Sequence, residues 1–221
     1  MTIWLILAFV FAALEALALH RNWAPVEYFV KPGVMVCLFL WLYSSTGLKA
    51  DTLWFGTGVL LSMIGDILLM ISLDRLFLPG LAVFLLAHVS YIIGFKDQFR
   101  TVSAASFLLI AVLAVSAARV AQRIVRAMRA KGESRLVSLV ILYSAVISIM
   151  LFAAASALFD PEWKPGSALL VSLGALLFYV SDAILAWNKF VAPILNGRIW
   201  NIATYHLGQI GLIAGIVSRF G

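Results

Sequence analysis

Apolar runs long enough to cross a lipid bilayer recur eight times along this chain, at roughly 2–19, 29–45, 53–72, 76–95, 103–118, 136–159, 167–187 and 199–218. A hydrocarbon layer about 30 Å thick needs about 20 apolar residues to be spanned by a helix. Lipid offers no partner to a bare peptide group, so only helices and closed barrels cross it. The runs are continuous rather than alternating, which selects helices. The expected fold is all-α: a polytopic integral membrane protein, a single bundle of eight transmembrane helices forming one domain over 1–221. The connections "HRNWAPVEY", "STGLKAD" and "DPEWKPG" are short and polar or carry Pro and Gly, as suits antiparallel neighbours. With 64% hydrophobic and only 12% charged residues, a soluble domain is excluded. The lone cysteine, Cys37, allows no internal disulfide and no thiol cluster for a metal. The first run follows Met1 without a basic leader or a small-residue cleavage site, so it is expected to be a retained helix.

Charge sets the expected orientation. "RVAQRIVRAMRAKGESR", between the fifth and sixth runs, reads as a loop with Arg119, Arg123, Arg126, Arg129, Lys131 and Arg135. Basic residues collect on the cytoplasmic side of membrane proteins. Arg21, Arg75, Lys189 and Arg198 fall on the same side as this loop, which puts both termini outside the cytoplasm of a bacterial inner membrane. The net charge of +6 then concerns orientation and anionic membrane lipid, and no nucleic acid partner is expected.

Against this apolar background a few polar residues stand out. "LSMIGDILLM" holds Asp66 and "LLFYVSDAILA" holds Asp182, although an ionised carboxylate in a bilayer costs about 2.5–3.5 kcal/mol on insertion scales. At a rise of about 1.5 Å per residue both lie about 20 Å along their helices, in one layer near the basic side, and Glu15 falls at a similar height. The eighth run brings Asn201, Tyr205 and Gln209, at i, i+4, i+8, with His206 about a quarter turn away. Tyr143 comes from the sixth run, His88 and Tyr91 from the fourth, and Lys31-Pro32 opens the second. Each could be an interhelical hydrogen-bond staple, Lys31 could snorkel to headgroups, and each aspartate could sit in a structural ion pair. Convergence on one depth favours a polar pocket opening inward.

"GDILLM", "FLPGLAVFLLAHVSYIIGF", "GALLFYVSDAILAWNKF" and "ATYHLGQIGLIAG", with Lys31-Pro32, resemble the YhhN-like lysoplasmalogenase family of eight-helix membrane proteins. The resemblance implies hydrolysis of the vinyl ether bond of a lysoplasmalogen to a fatty aldehyde and a glycerophospho-alcohol, without cofactor or metal. That chemistry needs a carboxylic acid to protonate a carbon and a carboxylate to steady the cation and activate water. Asp66 and Asp182 are the expected catalytic pair, with the division of roles open, because two carboxyl groups in a low-dielectric site can share a proton. Lys31 is expected to meet the substrate phosphate. His88, Tyr91, Asn188, Tyr205, His206 and Gln209 are expected to bind substrate or water, with Glu15 a further acid. The expected partners are the lysophospholipid substrate and membrane lipid.

Other classes fit less well. A Gly-x-Gly-Asp intramembrane protease would need glycine where Met63 stands, and a zinc hydrolase would need closer ligands than His20, His88 and His206. A lipid-binding or proton-coupled transport protein is the alternative, disfavoured by the absence of internal proline from the runs bearing Asp66 and Asp182.

Overall fold

The computed structural model describes residues 2–100 and 104–221. Eight long helices follow one another: α1 (Thr2–Arg21), α2 (Ala24–Thr46), α3 (Thr52–Ile71), α4 (Phe77–Gly94), α5 (Ala104–Ala130), α6 (Val137–Ser156), α7 (Pro165–Ala186) and α8 (Gly197–Phe220). No strand occurs among the described residues. Position 103, the expected start of the fifth run, lies outside them. The helices from α1 to α7 are long and apolar enough to cross a membrane, and the chain is an integral membrane protein.

The most polar of the long apolar runs is also the most enclosed. α8 falls short of the apolar character of the other seven because of Asn201, Tyr205, His206 and Gln209. It nevertheless packs against α7, α2, α1 and α3. Tyr205, His206 and Gln209 are buried there, so they face protein rather than lipid. In a membrane, polar side chains gather at helix–helix contacts, where each can find a partner.

Close approach of backbones sets the α7–α8 contact, the most extensive in the molecule. A Cβ at Gly174 would stand 2.3 Å from the Leu212 nitrogen, and one at Gly208 would stand 2.7 Å from the Phe178 nitrogen. Only glycine fits either place. The register so imposed aligns Ser181 with Asn201. The Asn201 amide donates to the Ser181 carbonyl at 2.8 Å and to its hydroxyl at 2.9 Å, and the Ser181 hydroxyl donates back to the Asn201 carbonyl at 3.0 Å.

Two expected boundaries are corrected. α2 begins at Ala24, not at 29, with Pro25 in its first turn, where a missing N–H costs nothing. Lys31 and Pro32 therefore lie well inside the helix rather than at its mouth. The basic "loop" is mostly helix, because α5 continues to Ala130. Its later part is amphipathic: Ile124, Val125 and Met128 are buried, while Arg119, Arg123, Arg126 and Arg129 are exposed. Arginine is a good helix former, and the alternation of buried and exposed positions follows the helical rather than the loop pattern. α5 is otherwise peripheral, packing mainly on α6 and on the turn after α7.

That turn is the one irregular stretch near the centre. α7 passes into a π-helical turn, Trp187–Val191. The chain then reverses through Asn196, whose φ of 54° is left-handed, into α8. Single π turns commonly mark functional sites, since they rotate a few side chains out of helical register.

Candidate active site

Where α3 ends, α4 begins and α7 turns into α8, the bundle opens into a cleft of about 590 Å³. Asp66 of α3 and Asp182 of α7 both line it, together with Lys31, Tyr205, Asn188 and Asn201. Glu27, Lys189 and Arg198 also line it. The cleft lies at the end of the molecule that carries the basic C-terminal part of α5, where the Lys131 ammonium donates to the Val191 carbonyl at 3.2 Å.

The two carboxylates are held differently. Asp66 is nearly sealed, at 2% exposure. The Lys31 ammonium lies 3.1 Å from its Oδ1, and the Tyr205 hydroxyl donates to its Oδ2 at 2.6 Å. Both oxygens of Asp66 are therefore engaged. Asp182 keeps 13% of its side chain exposed. Its Oδ2 accepts a hydrogen bond from the Tyr143 hydroxyl and lies 3.1 Å from His88 Nε2, which is itself 3.0 Å from the Tyr143 hydroxyl. Its Oδ1 has no hydrogen-bond partner among the described residues. One carboxylate is thus saturated by protein donors, and the other, partly exposed on the cleft wall, keeps an oxygen without one among the described residues.

Behind this wall lies a second layer of polar contacts. The Tyr91 hydroxyl donates to Gln209 Oε1 at 2.8 Å, and the Gln209 amide donates to the Ser62 hydroxyl at 3.1 Å. His206 Nε2 pairs with Glu15 Oε2. A Phe84–Phe178–Tyr205 aromatic cluster packs between these groups, with centroids 5.4–6.3 Å apart. Burying charge at this depth without partners would cost several kcal/mol per ion, which is why each acid here has a basic or hydroxyl neighbour.

At the mouth, Arg198 pairs with Glu27, and Lys189 lies 3.3 Å from Asp74 and over the Phe77 ring at 4.6 Å. The Arg198 side chain is 67% exposed. The mouth thus carries two cations, each beside an acid, while Asp66 is sealed deeper in the cleft.

The model of the YhhN family matches residues 26–216. The chain belongs to the YhhN family. It is 29% identical to the human protein named lysoplasmalogenase TMEM86B over 180 residues, covering 80% of this chain and 69% of that one. It is 28% identical to the mouse lysoplasmalogenase TMEM86B over 212 residues, covering 90% of this chain and 78% of the relative. A lysoplasmalogenase homolog of Dictyostelium discoideum is 25% identical over 189 residues, 76% of this chain and 61% of the relative. No solved structure matches the chain. By this kinship it is a lysoplasmalogenase-like enzyme of the membrane.

The residues singled out in the sequence fall into three groups. Asp66, Asp182, Lys31, Tyr205 and Asn188 line the cleft. His88 does not line it but touches Asp182 from behind. Tyr91, Gln209, Glu15 and His206 are buried away from the cleft wall, paired with one another or with Ser62, so their reach is through Tyr205 and Asp66 rather than to a ligand. Lys31 neither opens α2 nor snorkels to headgroups, since its ammonium is committed to Asp66. Asn188 accepts the Ile194 N–H at 2.8 Å and so fastens the turn after α7. Sequence reasoning placed Tyr143 in the right layer but gave it no role, and it assigned Arg198 and Lys189 only to the basic side. Glu27 was missed. An acid two residues before the start of a presumed helix reads as loop, and only the longer α2 brings it to the mouth.

Proposed function

We propose that this chain hydrolyses the vinyl ether bond of a lysoplasmalogen, with all eight helices crossing the bilayer as one bundle and the cleft opening to the cytoplasmic leaflet. The observation that carries the reading is the cleft itself: two aspartates at membrane depth on the wall of one cavity, only one of them with an unoccupied oxygen. The names of the relatives supply the substrate class.

In this reading Asp182, as the carboxylic acid, delivers a proton from its free oxygen to the β carbon of the vinyl ether. The C=C electron pair forms the new C–H bond, and the positive charge settles on the α carbon and the ether oxygen as an oxocarbenium ion. Asp66, anchored by Lys31 and Tyr205, lies in the same cleft and supplies negative potential to that cation. Water then adds to the α carbon and returns a proton to the Asp182 carboxylate. The reprotonated Asp182 then gives its proton to the ether oxygen as the bond from the α carbon to that oxygen breaks, and the hemiacetal hydroxyl proton returns to Asp182, which releases the fatty aldehyde and the glycerophospho-alcohol and restores the acid. Tyr143 and His88 hold Asp182 in place from behind. The phosphate falls to Arg198 and Lys189 at the mouth, rather than to Lys31.

The test is product analysis by mass spectrometry after purified protein meets a panel of vinyl-ether and ester lysolipids. Long-chain aldehyde is expected from the vinyl ethers alone. Asp182→Asn and Asp66→Asn should each lower aldehyde release by about a hundredfold or more, the usual scale for a removed acid or base, while the protein stays folded. Full activity in both variants, or proton-coupled uptake of lysolipid with no product, would overturn the reading.

A further inference from the structure

We infer that the hydrocarbon chain of the lysolipid leaves the cleft past Asp182 and enters an apolar crevice beneath α5. This rests on the hydrolase reading above and adds where the chain goes. The crevice measures about 50 Å³ and lies between α4, α5, α6 and α7. Asp182, Leu69, Phe84 and Leu185 line both it and the polar cleft, so the two spaces meet at Asp182. That carboxylate is therefore shared between a cleft that holds Arg198 and Lys189 and a crevice lined almost wholly by apolar side chains.

Small side chains keep the crevice open. Ala117 and Ala121 project into it from α5, and Ala183 and Ala186 from α7. On α5, positions 117, 121 and 124 follow helical spacing and form the inward face, while Phe107, Leu108, Val112 and Val115 are exposed on the other. A space of this size takes the first few carbons after the vinyl ether. The rest of the chain passes to lipid beneath α5, which is held mainly by α6 and the 187–191 turn.

An amphiphile fits this arrangement in one orientation only. Its phosphate lies near Arg198 and Lys189, its chain lies under α5, and the bond joining the two parts falls at Asp182. The reverse orientation would put methylenes in the polar cleft and a charged headgroup among the apolar side chains of the crevice.

Two substrates and one variant test the path. Wild-type protein is compared with Ala121→Phe, which fills the crevice away from both aspartates, on a hexadecenyl and a propenyl vinyl-ether lysolipid of the same headgroup. The variant should lose about tenfold or more in kcat/KM on the hexadecenyl substrate, the discrimination one or two methylenes carry, and change little on the propenyl one. An equal effect on both substrates in a variant that melts like wild type, or no effect on either, overturns the path. A second measurement needs no turnover: a saturated alkyl-ether lysolipid with a diazirine a few carbons from the glycerol. Its adducts should map to residues around Val120, Ile124 and Ile147, compete with unlabelled lysolipid but not with diacyl lipid, and vanish in Ala121→Phe. Adducts elsewhere, or adducts that do not compete, would sink the crevice assignment. Competed adducts in a protein that releases no aldehyde from either substrate would sink the hydrolase reading and leave the chain path standing.

Discussion

A buried ion pair is worth less for its attraction than for what happens when half of it is removed. Lys31 and Asp66 are such a pair, 3.1 Å apart with side-chain exposures of 11% and 3%. Lys31→Met should lower the stability of the detergent-solubilised protein by about 3–5 kcal/mol, since it strands a carboxylate. Lys31→Met combined with Asp66→Asn should recover much of that loss, and thermal melts of the four proteins close the cycle. If the double variant is no more stable than Lys31→Met alone, the pair is not coupled in this way. Tyr143 makes a different prediction. It holds Asp182 in place, so Tyr143→Phe should lower kcat by about tenfold, from a lost hydrogen bond to the carboxylate that forms as the Asp182 proton leaves, worth about 1.5 kcal/mol, with KM little changed. Tyr143 also lines the crevice beneath α5, so a raised KM with kcat unchanged would mean that it acts on the lipid chain and not through Asp182.

At the scale of helices, the aspartates are positioned by glycines that take no part in chemistry. α7 and α8 touch backbone to backbone at Gly174 and Gly208, and that contact sets the height of Asp182 relative to Tyr205. Gly174→Val is expected to abolish monodisperse protein in size-exclusion chromatography, and Gly208→Ala should cost about 1–3 kcal/mol, the usual penalty of overpacking. Gly166, also on α7, has open space where a Cβ would go, and Gly166→Ala should be neutral or slightly stabilising. If all three behave alike, the close approach is not what holds α7 to α8. α5 is the opposite kind of element, with little of its surface buried and its contacts mainly to α6 and the 187–191 turn.

For the whole molecule the prediction is one of sidedness. Cys37 is buried, so it gives little background to a membrane-impermeant maleimide. Glu133→Cys, between α5 and α6, should be labelled only from the cytoplasmic side, and Lys164→Cys, before α7, only from the other. The reverse pattern would turn the cleft outward and put its substrate in the opposite leaflet.

Hydrophobic run length determined that the chain is a helical membrane protein, because lipid admits almost nothing else, and the helix count and the family followed from the same runs and motifs. The rarity of acids in those runs singled out Asp66 and Asp182, since a charge that costs so much in lipid needs a reason to be there. Only the tertiary structure decided what those acids touch. Lys31 read as a headgroup contact until the added turns of α2 placed it against Asp66, and Glu15 and His206 read as site residues until they were found to pair with each other behind the wall. Depth along a helix can be counted in residues, but the direction a side chain faces depends on how neighbouring helices rotate and how closely their backbones approach. That is settled by contacts between residues far apart in the chain, which no local pattern encodes.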